Sequence, residues 1–178
     1  MKTGPILVID AFWKSDKPFP SEEKPDSKIG KVFHEEYSGE HRHLGWMDLV
    51  QLKELIAKHS ITHIVLKNLD VLGKVAMVSH EVKVCTSYIT KNGHIIKSGP
   101  KENLLEKYRP LYSSVEFGGW ELSEDDEEIS PRAEEYMRYL LFRTKVQSVS
   151  YSTNKVKVTV YFDDNNKYHM ITEKIFHK

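Results

Sequence analysis

The chain has 178 residues, 39% of them hydrophobic and 29% charged, with Lys+Arg and Asp+Glu balanced at 26 each. That length suits one domain over residues 1–178, able to bury roughly 70% of the surface its unfolded form exposes. Zero net charge leaves no global basic field for nucleic acid or an anionic membrane. One cysteine, Cys85, excludes an internal disulfide and points to a reducing compartment.

The first apolar run, Ile6 to Ile9, is too short for a signal-peptide core or a membrane span. It reads as a buried strand, and the protein as cytoplasmic, in its own cell or a host's. Residues 14–31 hold Pro18, Pro20 and Pro25 and read as loop. Trp46 to His59 reads as a helix, with Trp46, Leu49, Val50, Leu52, Leu55 and Ile56 on one broad face. Ile61 to Leu66 follows as a buried strand, bringing the polar stretch Lys67-Asn68-Leu69-Asp70 to a sheet edge as a loop. A carboxylate placed there accepts two hydrogen bonds from the N1–H and exocyclic amine of guanine, a pair adenine does not present. The competing reading is an Asp that caps a turn or a helix start. No Gly-x-x-x-x-Gly-Lys-Ser/Thr accompanies it.

Glu81 to Thr90 alternates, and Asn92-Gly93 then His94-Ile95-Ile96 predict a hairpin. Residues 123–130 form an acidic loop, solvated or offered to a basic partner. Pro131 to Phe142 predicts a second helix, capped by Ser130. Lys155 to Phe162 and Lys167 to Ile175 predict a closing hairpin around Asp163-Asp164-Asn165-Asn166. Cys85 reads as a small core residue and Trp120 as a core plug. His34, Glu35, Glu36, His41 and His43 gather possible metal ligands without diagnostic spacing, so exposed loop histidines are the better reading and no metal ligand is assigned. The fold expected is α/β: a mostly parallel sheet with flanking helices and a C-terminal antiparallel hairpin.

Four segments carry a family pattern, in order: Pro18-Phe19-Pro20-Ser21-Glu22, Leu44-Gly45-Trp46-Met47-Asp48-Leu49-Val50, Leu69-Asp70-Val71-Leu72, and Glu81-Val82-Lys83-Val84-Cys85. Together they resemble adenylosuccinate synthetase, in the portion beyond its middle. Gly119-Trp120 and the Pro131 helix are similar to later parts of the same family. The resemblance implies condensation of IMP with aspartate, driven by GTP with Mg²⁺. It implies nucleotide contacts at Asp70, Asn68, Lys67, Ser152 and Thr153, and substrate contacts at Arg42 and Gly39. Asn68 stands where the family has a Lys that packs on the base. Glu40 replaces an Arg of the substrate loop and would repel a carboxylate substrate. Only Ser152-Thr153 remain of a Ser-Thr-Gly-Pro loop that touches the guanine.

The family's phosphate loop and catalytic Asp and His lie in the half that this sequence does not match, so no catalytic residue is assigned. Phosphoryl transfer is mostly positioning and charge stabilisation, so without that cradle it is not expected to run. The expectation is a non-catalytic relative, of a kind a small viral genome would suit, binding a protein partner or a purine nucleotide such as GTP or GDP. Half of a split ligase and a free-standing guanine-nucleotide binder are the alternatives. Apolar surface left uncovered on the sheet or on the Trp46 helix predicts a homodimer or a complex with another protein.

Overall fold

A computed structural model describes residues 3–40, 43–98, 107–115 and 118–177. The main sheet has five strands in the order β1 (Ile6–Asp10), β5 (His63–Lys67), β9 (Ser148–Ser152), β10 (Val156–Phe162) and β11 (Tyr168–Lys174). β1, β5 and β9 run parallel, and β10 and β11 complete the sheet as an antiparallel hairpin. The expected α/β class, parallel core and closing hairpin are all present.

A second sheet lies beside it. Its short β4 (Met47–Asp48) pairs parallel with β6 (Val82–Thr90), which also pairs antiparallel with β7 (Ile95–Ile96) and β8 (Tyr108–Val115). β2 (Trp13–Ser15) and β3 (His43–Gly45) make a small antiparallel ribbon. Four helices are described: α1 (Lys28–Glu36), α2 (Leu49–His59), α3 (Leu69–Ser79) and α4 (Pro131–Thr144). One core cluster joins them to a single face of the main sheet, through Ile64, Leu66, Val149 and Val160 from the strands and Leu52, Leu72, Val75, Met137 and Leu140 from the helices. β1, β5 and β9 advance in one direction across the sheet. Right-handed crossovers in one direction place every connection on the same side.

Four elements differ from the sequence reading, each for a physical reason. α2 begins at Leu49, not Trp46, because the buried Asp48 caps it, accepting from the Gln51 N–H at 3.1 Å. Trp46 is therefore buried ahead of the helix, its indole N–H donating to Glu23 at 2.7 Å. The loop after Ser15 stops at Ser27, whose hydroxyl accepts from the Gly30 N–H at 2.9 Å and starts α1. β1 is an edge strand rather than a buried one: Ile6 and Val8 are 61% and 57% exposed. Lys67 to Asp70 is not a loop, because β5 ends at Lys67 and α3 starts at Leu69.

The short β2, β3 and β4 escaped the sequence reading, and so did the longer β8 and β9. β9 spans five residues and carries only two apolar side chains, Val149 and Tyr151, too few for its alternation to stand out. β8 breaks its alternation with Pro110 and two serines. The Asn92-Gly93 turn is present, with Gly93 at φ 82°, but β7 beyond it spans only two residues.

Candidate functional site

β5 and β9 end side by side, and a cleft of about 330 Å³ opens there. Ligand crevices in open parallel sheets lie outside the carboxyl ends of strands. Lys67, Asn68, Asp70, Ser152 and Thr153, five positions assigned from sequence on two separated segments, all line this one cleft. Glu124, Tyr151 and Asn154 complete its polar wall.

Asn68 alone separates strand from helix, in the left-handed conformation (φ 52°, ψ 35°). Asparagine tolerates that region better than most residues. Its side chain makes no cap hydrogen bond to α3. Its amide instead turns back and donates to the carboxylate of Asp10 at the end of β1. Asn68 therefore holds the strand–helix junction, and its amide is committed away from a base.

Asp10 is 3% exposed, and it also takes the Lys14 ammonium at 2.6 Å. Lys14 reaches the Tyr37 hydroxyl at 3.1 Å and lies over that ring. Burial pulls the Lys14 pKa down, but its bonds to Asp10 and Tyr37 outweigh burial and leave it raised.

Asp70 sits in the first turn of α3, where the helix dipole favours a carboxylate. Among the described residues its carboxylate accepts no hydrogen bond, so its acceptors face the cleft uncommitted. Tyr151 lies beneath at 7% exposure. Burial, then the nearby Asp70, Glu124 and Asp126, push its hydroxyl pKa up to about 12.

Thr153 is a structural member of the site. Its hydroxyl donates to the Asp126 carbonyl at 2.8 Å and accepts from the N–H groups of Lys155 and Val156. With the Asn154 N–H donating to the Glu124 carbonyl at 2.7 Å, it pins the acidic loop against the β9–β10 turn. That anchoring makes Glu124 a wall of the cleft, which no local sequence signal could give. Ser152 is exposed at the rim.

Gly39 does not line the cleft, and it packs against the Tyr37 ring instead. Arg42 and His41 lie outside the described residues. Of the other possible metal ligands, His43 bonds Glu22 at 2.7 Å and Glu36 pairs with Lys74. The family-pattern residues Ser21 and Trp46 serve packing: the Ser21 hydroxyl donates to the Trp46 carbonyl at 2.8 Å.

The geometry is that of a crevice at the carboxyl ends of parallel strands, with carboxylate acceptors at Asp70 and Glu124. Comparison with known proteins gives it a family. The sequence model of adenylosuccinate synthetase matches residues 13–159, and the chain belongs to that family. The synthetase of Chlorobaculum parvum is 31% identical over 131 residues, covering 70% of this chain and 29% of the relative. That of Marinomonas sp. is 34% identical over 132 residues, covering 69% and 29%. A fully ligated adenylosuccinate synthetase from Plasmodium falciparum shares the fold with a TM-score of 0.64 at 22% identity, over 80% of this chain and 36% of that one. The chain thus spans about 29% of the length of the curated relatives it matches.

Proposed function

We propose that this chain is a guanine-reading domain of the adenylosuccinate synthetase family that binds without catalysing by itself. One observation carries the reading. Residues assigned from two distant segments meet around one cleft, and the Asp70 carboxylate faces it with no hydrogen-bond donor among the described residues. Two acceptor oxygens match the paired donors of guanine and not the edge of adenine. Titration calorimetry with guanosine and adenosine tests it. Guanosine should bind preferentially, and Asp70→Asn should weaken it by roughly 1–3 kcal/mol, since a buried donor then loses its acceptor. Equal binding by the variant removes Asp70 from the role.

Half of a two-chain ligase is the second reading, and the bare face of the main sheet favours it. Parallel strands are normally covered on both faces, whereas Ile6 and Val8 here are open. Strands added beyond β1 would run in the opposite direction across the sheet and place their helices on that face. Turnover of IMP, GTP and aspartate only when a second chain supplies the phosphate loop would establish this reading. Turnover by the 178-residue chain alone would overturn both.

A further inference from the structure

We propose that two copies of this chain join through β1, antiparallel about a two-fold axis at Leu7, so that Ile6 of each copy lies opposite Val8 of the other. β1 ends the main sheet, and among the described residues no strand pairs with its outer side. The Ala11 N–H donates to the Lys67 carbonyl at 2.8 Å, and the Pro5 carbonyl accepts from the Thr62 N–H at 2.9 Å. Backbone direction alternates along a strand, so Leu7 and Ile9 face β5 as well. Ile6 and Val8 therefore turn their N–H and carbonyl groups to the free edge. A row of that kind is completed by another strand.

The edge fits a copy of itself. Ile6 lines a trough of about 280 Å³ on the bare face, and Val8, two residues on, shares that face. These two residues are exposed, and they also carry the free backbone groups. An antiparallel copy centred on Leu7 sets Ile6 against Val8 twice over and adds about four main-chain hydrogen bonds. Leu7 meets its own copy on the helix side, where it already packs against the core. Asp10 stays outside this ladder, since it is buried and held by Lys14 and Asn68. A two-fold axis at Val8 would need the backbone of that buried residue for its outer rungs.

No charge or proline guards Ile6 to Ile9, whereas the opposite edge of the sheet, β11, ends in Glu173 and Lys174. The two-fold pairing uses only groups already present on this edge and closes after two copies. So short an edge buries much less than the roughly 1,600 Å² of a standard stable interface, so the dimer exchanges with monomer as concentration falls.

Sedimentation of the intact chain is the test. The mass should climb from that of one chain towards that of two as concentration rises from micromolar to millimolar. Ile6→Glu and Val8→Lys, each at an exposed position, should each weaken association about tenfold or more. Mixed in equal amounts, the two variants should associate again. The introduced carboxylate and ammonium then lie opposite each other, and the remaining valine meets the remaining isoleucine. Added salt should weaken that mixed pair. A monomer throughout the range, or undiminished association in both single variants, overturns the β1 pairing. A mixture that stays monomeric overturns the register. A chain that associates only with a different chain overturns the inference too, and leaves this edge to the two-chain reading.

Discussion

Asp48 is the residue on which the second sheet and α2 both depend. It is fully buried and accepts from the Gln51 N–H, from the Gln51 side-chain amide at 3.0 Å, and from the Tyr88 hydroxyl. Asp48→Ala removes a helix cap, worth about 1 kcal/mol. It also leaves a buried tyrosine hydroxyl unpaired, worth about 1–3 kcal/mol. Denaturant unfolding should therefore show a loss of about 2–4 kcal/mol. Burial raises the Asp48 pKa above its ordinary 3.8, against the lowering effect of its hydrogen bonds. The folded state thus holds this proton more tightly than the unfolded chain. Its contribution is fully present below the unfolded value and falls as pH rises through the folded one. Asp48→Asn should flatten that part of the stability–pH curve. At this scale the sequence was informative about residue type and less so about role. Asp70 was legible as a carboxylate just beyond a strand, though it stands in the first turn of α3 and not in a loop. The commitment of the Asn68 amide to Asp10 was not, because 58 residues separate the partners.

At the scale of elements, α3 shows how packing decides what local pattern leaves open. Leu69, Val71, Leu72, Val75 and Ala76 are all buried along it. Gly73 in its middle is a poor helix former, costing about 1 kcal/mol against Ala. Its place is explained by Trp120, whose backbone carbonyl would lie 2.4 Å from an added Cβ and whose ring would lie 2.5 Å away. The Trp120 indole also donates to the Leu69 carbonyl at 2.9 Å, so the tryptophan cannot simply withdraw. Gly73→Ala should accordingly destabilise the fold despite its better helix propensity, by about 1–3 kcal/mol as overpacking costs. A thermal melt showing a raised midpoint would contradict this. α4, behind Ser130 and Pro131, was legible, whereas α1, capped by Ser27, lay inside the proline-rich stretch and read as loop. α3 begins without a side-chain cap bond and followed the strand after one residue, so its start read as loop.

The whole molecule presents two unlike faces. One face of the main sheet is packed by helices, while the other exposes Ile6 and Val8 on an edge strand that lacks charge up to Ile9. Open apolar edges recruit partners. A mass measured in solution should exceed that of the monomer, or rise with an added partner chain, and Val8→Lys should abolish the association while the folding midpoint changes little. Trp46, ahead of α2, is 1% exposed and adds nothing to that open surface. No described helix is long and apolar enough to cross a membrane. The sequence by itself determined the α/β class, the closing hairpin, the α4 helix and the family, because these follow from local periodicity, turn chemistry and short ordered motifs. Only the tertiary structure decided that Asp70, Ser152 and Glu124 share one cleft, that Asn68 and Thr153 serve the scaffold, and that one sheet face stays open. Those outcomes depend on strand order and on contacts between distant segments, which no local pattern encodes.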